Sequence, residues 1–242
     1  MSVTIQALSF DAKNPAGLAR FWAGLLDREV GADGTSVLPD NELGFVLRFL
    51  PTELDKERPN QTHFDLPSQT LEAQQAMVDR ALELGGRHID IGQLPEEEHV
   101  VLADPEGNEF CVIEPGNNFL AGTGVIGALS SDGTQAVGYF WSKALEWPLV
   151  WDQDEETAIQ SPQGGPKISW GGPPVNPKAP KNRLHLDLVA SGDAEAEVER
   201  LITLGATRHD SGQAHADGAD GIELADPDGN EFCILTGTRE PA

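Results

Sequence analysis

The sequence predicts an α+β fold built from four β-α-β-β-β units, and three observations predict it. The first is an internal duplication. His63-x-Asp65-Leu66 returns as His185-x-Asp187-Leu188, and the octapeptide from Asp104 to Cys111 returns from Asp226 to Cys233 with one change, Glu106 to Asp228. The offset is 122 in both cases (185 − 63 and 226 − 104). The second is that strand-like alternation and helical i, i+3, i+4 stripes follow one another twice within each copy. The third is punctuation: glycine, proline and Asn/Asp stand where one pattern gives way to the next.

The first copy opens with a strand over 3–10. Asn14 as N-cap and Pro15 at the first helical position then start a helix whose apolar stripe is Leu18, Phe21, Trp22, Leu25 and Leu26. Short strands are expected over 29–32, 35–38 and 44–50. The unit restarts with a strand over 63–66 and a helix over 71–84 that Gly85-Gly86 closes. Strands over 87–91, 99–103 and 109–114 complete it. The second copy repeats this with a strand over 125–129, a helix around 134–145, strands to about Trp170, and a second unit from Leu184. Residues 117–123 lack periodicity and separate the copies, 1–118 and 122–242. The Pro/Gly-rich stretch 171–180 reads as an extended linker.

Sixteen basic against 40 acidic residues give a formal charge of −24, a field that repels nucleic acid and anionic membranes. Its plain meaning is solubility; attraction of cationic ligands is a second, weaker one. No apolar run approaches the roughly 20 residues that span a bilayer. Met1–Gln6 lacks a basic and an apolar region and reads as the approach to a strand rather than a signal peptide. A soluble, cytoplasmic protein is expected. Its two cysteines, Cys111 and Cys233, fall at matching points of separate copies and are expected to be free thiols.

A period of two places His63 with Asp65, and His185 with Asp187, on one face of their strands. A histidine and a carboxylate facing one pocket suit acid/base work. They suit equally a hydrogen-bonded pair that satisfies the sheet. Asp104-Pro105-Glu106-Gly107 and Asp226-Pro227-Asp228-Gly229 have the make-up of type I turns and are read as structural. Phe21-Trp22 and Phe140-Trp141 belong to helix core faces. His88, His99, His209 and His215 show no partner pattern and are expected in surface or loop positions.

Four such units, His-x-Asp-Leu opening alternate ones, the repeated Asp-Pro-x-Gly-Asn-Glu-Phe, the paired Phe-Trp and the run Asn182 to Leu188 together resemble the vicinal oxygen chelate superfamily. That group includes glyoxalase I, bleomycin-resistance proteins, extradiol dioxygenases and methylmalonyl-CoA epimerase. The resemblance implies two cup-shaped mixed sheets with helices on their outer faces, one cup per glyoxalase-like domain (1–118 and 122–242). Metal-using members carry one ligand on the first and last strand of each unit. The corresponding slots here fall near Ala7, at or beside Arg48, on His63 and on Cys111, then near Ile126 to Ala128, at or beside Trp170, on His185 and on Cys233. One histidine per cup survives, so no cofactor is expected, with a divalent metal left open.

The implied function is binding of a small organic molecule, with Arg48, His63, Asp65 and Cys111 in the first cup and Trp170, His185, Asp187 and Cys233 in the second. The alternative is a superfamily enzyme of lyase, isomerase or dioxygenase type, using a divalent metal or acid/base catalysis by His63 or His185. A monomer whose two domains pair within the chain is expected.

Overall fold

The computed structural model describes residues 2–94, 96–178, 181–209 and 221–236. His215, expected at a surface or loop position, lies outside these residues, as does part of the 171–180 linker. In the first copy the elements are β1 (Val3–Ala12), α1 (Pro15–Leu26), β2 (Ser36–Val37), β3 (Val46–Pro51), β4 (Thr62–Pro67), α2 (Leu71–Glu83), β5 (Arg87–His88), β6 (Val100–Ala103) and β7 (Glu109–Ile113). The second copy contributes β8 (Ala128–Ser131), α3 (Gln135–Leu145), β9 (Leu149–Gln153), β10 (Glu156–Gln160), β11 (Lys167–Trp170), β12 (Leu184–Ala190), α4 (Ala194–Leu204), β13 (Thr207–Arg208), β14 (Gly221–Ala225) and β15 (Glu231–Leu235). The strand expected over 29–32 reduces to a single bridge between Val30 and Val37.

The helix starts follow local chemistry. Asn14, Thr70 and Asp193 each accept a hydrogen bond from the backbone N–H three residues on, and Pro15 occupies the first turn of α1. Thr134 has no such bond at the start of α3. There Asp228 of the distant turn accepts from both the Thr134 N–H and its hydroxyl. Glu106 does the same for the first copy, accepting from the backbone N–H groups of Lys13 and Asn14.

Two mixed sheets carry the strands, in the orders β13-β14-β15-β12-β1-β3-β2 and β5-β6-β7-β4-β8-β11-β10-β9. Each sheet therefore joins strands of both copies, three with four in the first and four with four in the second. The expectation of one cup per copy is corrected: the first unit of copy one curls with the second unit of copy two, and the two inner units make the other cup. The joints are antiparallel, β1 on β12 and β4 on β8. Pairing between the copies within the chain is thus a property of the backbone ladder itself. Both sheets are cup-shaped, with the helices outside.

The turns explain why Phe-Trp and Asp-Pro-x-Gly-Asn recur together. Gly107 N–H donates to the Asp104 carbonyl and Gly229 N–H to that of Asp226, closing the type I turns. Gly107 and Gly229 sit at φ 91° and 85°, where a side chain would be strained. The aspartate side chains point inward. Asp104 accepts from the Trp22 indole at 3.1 Å and Asp226 from the Trp141 indole at 3.3 Å. Burial raises the Asp226 pKa to about 6 even though Asn230, Trp141 and Asp228 donate to it. Each turn is fastened to the first helix of its own copy, so the helices hold a copy together while the sheets hold the copies to each other.

Candidate functional site

Alternation along the strands decides what each cup contains. On β1, Leu8, Phe10 and Ala12 enter the core and Ser9 faces the concave side; on β8, Leu129 enters the core and Ser130 faces the cup. Ser130 is in register with His63 on one side and Ser169 on the other. In the twin cup Ser9 is in register with His185 and Arg48. The first-strand slots are therefore Ser9 and Ser130, not the aliphatic positions near Ala7 and Ile126 to Ala128. The slot beside Trp170 is Ser169. Trp170 takes the other face of β11, buried with the core, although it still borders the cavity.

The grouping of the predicted site residues changes accordingly. Arg48 shares its cup with His185, Asp187 and Cys233. His63, Asp65 and Cys111 share theirs with Ser130 and Ser169, and with Trp170 at the border. Both arrangements place a cysteine beside the aspartate on the neighbouring strand, Cys111 by Asp65 and Cys233 by Asp187. Both thiols are free.

The two centres match nearly atom for atom. Ser130 donates to Asp65 Oδ2 at 2.5 Å, and Ser9 to Asp187 Oδ2 at 2.6 Å. His63 Nε2 lies 3.5 Å from Asp65 Oδ1, and His185 Nε2 lies 3.4 Å from Asp187 Oδ1. They differ at two strand positions: Glu223 is paired with Cys233 where Val101 is paired with Cys111, and Arg48 stands where the other cup has Ser169. Arg48 reaches Asp187 Oδ2 with Nη1 at 3.4 Å, whereas Ser169 turns its hydroxyl to Ser130 at 3.2 Å.

Where the serine stands, the cup holds a cavity of about 720 Å³. Its floor is His63, Cys111, Ser130 and Ser169, and Phe119 and Trp151 stand on its walls. None of the flanking residues Ser130, Ser169, Phe119 and Trp151 was singled out from sequence; the repeat offset of 122 carries Ser9 to Ser131 and Arg48 to Trp170, one residue past the serines.

The electrostatics of the centres differ. Burial disfavours the charged His63 imidazole, but its bonds to Asp65 and to the Cys111 sulfur outweigh that and raise its pKa from 6.5 to about 10. At neutral pH His63 is a proton holder. In the twin cup burial opposes ionisation of Asp187, yet His185, Ser9 and Arg48 hold its carboxyl below the usual range. Burial, with the Asp187 and Glu223 carboxylates, pushes the Cys233 thiol up, so that it stays protonated. His209, expected without a partner, lies 3.7 Å from Glu231.

A raised histidine pKa has a stability consequence of fixed sign. The contribution is fully present below the unfolded pKa of 6.5 and is lost as pH rises through about 10. His63 keeps 34% of its side chain exposed. With solvent screening discounted, the stability difference between the native chain and His63→Gln is expected to shrink by about 1–2 kcal/mol across that window. Urea denaturation at pH 6 and pH 10 checks it; a difference that stays constant refutes the pairing.

A model of the glyoxalase-like domain matches the chain twice, over residues 7–113 and 128–235. The chain belongs to the glyoxalase-like family. The fold of this glyoxalase-like protein is shared with glyoxalase I from Zea mays, at a TM-score of 0.62 and 12% identity, over 97% of this chain and 92% of that one. It is shared too with a provisionally named dioxygenase from Bacillus subtilis, at a TM-score of 0.58 and 15% identity, over 96% and 84%. The two structures share the fold, and the family match in both copies agrees with the vicinal oxygen chelate superfamily. No curated protein matches it in sequence. Among the described residues, no helix is long and apolar enough to cross a membrane.

Proposed function

We propose that this chain binds a small organic molecule in the cup formed by β4, β7, β8 and β11, without a resident metal. The observation that carries this reading is the cavity of about 720 Å³ in which a few polar groups converge on one floor under aromatic walls. That volume and that mix suit a small organic ligand. His63 would offer a proton, Ser130 and Ser169 hydroxyls of either sense, and Phe119 and Trp151 apolar surface. The twin cup, with Arg48 laid over Asp187, has its polar floor already engaged.

The residues present do not make the metal site that metal-using relatives would carry. Two of the four strand slots are serines, and Ser130 already donates to Asp65. Three donors remain, His63, Asp65 and Cys111, whose ligand atoms lie within 4.8 Å of one another. The twin cup keeps the same His, Asp, Cys and Ser around a guanidinium, a charge that opposes a divalent ion. The serine-to-aspartate hydrogen bond is common to both sets.

The experiment is calorimetry of the purified chain against a library of small aromatic and heteroaromatic compounds, paired with metal analysis. Saturable binding is expected, lost in Ser169→Phe with circular dichroism unchanged, together with zinc, nickel, iron and manganese far below one per chain. A stoichiometric metal that disappears in His63→Ala would instead favour the enzyme reading of this superfamily.

A further inference from the structure

The duplication gives the open cup an internal reference. Its twin has the same serine, histidine, aspartate and cysteine, in the same geometry, with an organic cation already in place and Glu223 where the open cup has Val101. Arg48 Nη1 meets Asp187 Oδ2 while His185 keeps to Oδ1 of the same carboxylate. One carboxylate in this setting thus accommodates an imidazole and a guanidinium at once, on different oxygens.

In the open cup the strand position of Arg48 is Ser169, and the guanidinium is gone. Asp65 keeps its serine and histidine partners and is 15% exposed at the side chain, against 3% for Asp187. The space above it is the cavity. The described lining includes the carboxylates Glu109, Asp132 and Glu156 and neither lysine nor arginine; its positive group is His63, held to Asp65 Oδ1 and leaving Oδ2 toward Ser130. Two nearby cations are otherwise engaged. Lys56 pairs with Glu109 at 2.5 Å, and Lys167, two residues from Ser169 on the same face of β11, is drawn onto the Phe119 carbonyl and lies 4.6 Å from its ring.

We propose that the open cup takes a small organic cation, an amine, amidine or guanidine on an aromatic or apolar body, with its positive group above Ser169 against Asp65, where the twin cup seats its own Arg48. The cation meets Asp65 Oδ2 and the Ser130 and Ser169 hydroxyl oxygens. The body lies along Trp151, whose ring face also attracts positive charge, and beside Phe119, whose ring already carries Lys167. A chain charge of −24 draws such a ligand in and holds anions off. This proposal rests on the reading that the cup holds a small molecule, and it names the chemical class.

The test is titration calorimetry of the full chain with a matched pair, benzamidine and its neutral isostere benzamide. Benzamidine is expected to bind at least about tenfold more tightly, the size of one desolvated charge pair. In Asp65→Asn that ratio is expected to fall to about twofold or less, because only the charge on the floor has been removed. Ser169→Arg, which rebuilds the twin's guanidinium, is expected to abolish benzamidine binding. Circular dichroism and thermal melting confirm that each variant is folded, and the wild-type ratio decides the matter if one is not. Benzamide binding as tightly as benzamidine overturns the cation proposal and leaves small-molecule binding intact. Saturable binding of neither overturns both.

Discussion

Trp22→Ala is expected to lower the unfolding free energy by about 4 kcal/mol, within the range for emptying a buried aromatic site. Trp22 is fully buried, and its ring lies 5.3 Å from Phe64, 5.2 Å from Phe110 and 6.1 Å from Phe10. Those three rings come from β4, β7 and β1, so one side chain on α1 ties together strands of both sheets. The indole N–H also donates to Asp104, a buried carboxylate at the turn before β7. Truncation leaves a cavity, and it leaves Asp104 short of a donor in a place water does not reach. Trp22→Phe separates the two losses. It keeps most of the ring volume, and it is expected to cost about 1–2 kcal/mol for the hydrogen bond and residual misfit. Urea denaturation of the two variants side by side measures both. Equal losses would mean that ring volume is not what Trp22 contributes, and the account of the joined helix and turn would fail.

That joined device also shows how far the sequence could be read. The Phe-Trp pair and the Asp-Pro-x-Gly-Asn turn were each assigned a structural part from local chemistry alone, core face and type I turn. Their contact over 82 residues was not legible, because neither motif carries a mark of its partner. The strand faces were largely legible. His63 and Asp65 share the concave side because a period of two requires it. Placing the opposing slot at Ala7 instead of Ser9 was a shift of two residues, which preserves the face and moves the position along the strand. The slot at or beside Trp170 resolves to its neighbour Ser169, because a shift of one residue reverses the face. The pairing of the copies was beyond local reading for a different reason. A tandem repeat makes each unit resemble its counterpart, so the patterns that specify β1 and β8 do not say which copy supplies their neighbours. The ladder between β1 and β12 runs from Val3 opposite Ala190 to Phe10 opposite Leu184, a long-range choice that no window of the sequence contains.

Dividing the chain between the copies is expected to abolish ligand binding completely in either half. The open cup takes His63 and Cys111 from the first copy, and Ser130, Ser169 and Trp151 from the second. Residues 1–118 alone would also expose the edges of β1 and β4, two strands rich in apolar side chains and unpaired backbone groups, which invite association. That half is expected to elute as a dimer or larger species, and 122–242 likewise, whereas co-expression is expected to give a one-to-one complex that binds ligand again. Size-exclusion chromatography with light scattering, followed by calorimetry on the complex, provides the check. A monodisperse, folded monomer of 1–118 would contradict the crossed sheets. The covalent link has a consequence that two identical chains could not produce. A symmetric dimer must build two identical cups. In one chain the copies are free to diverge, and here the divergence includes the strand position facing the aspartate: Arg48 occupies one aspartate from within, and Ser169 leaves the other open to a molecule from outside.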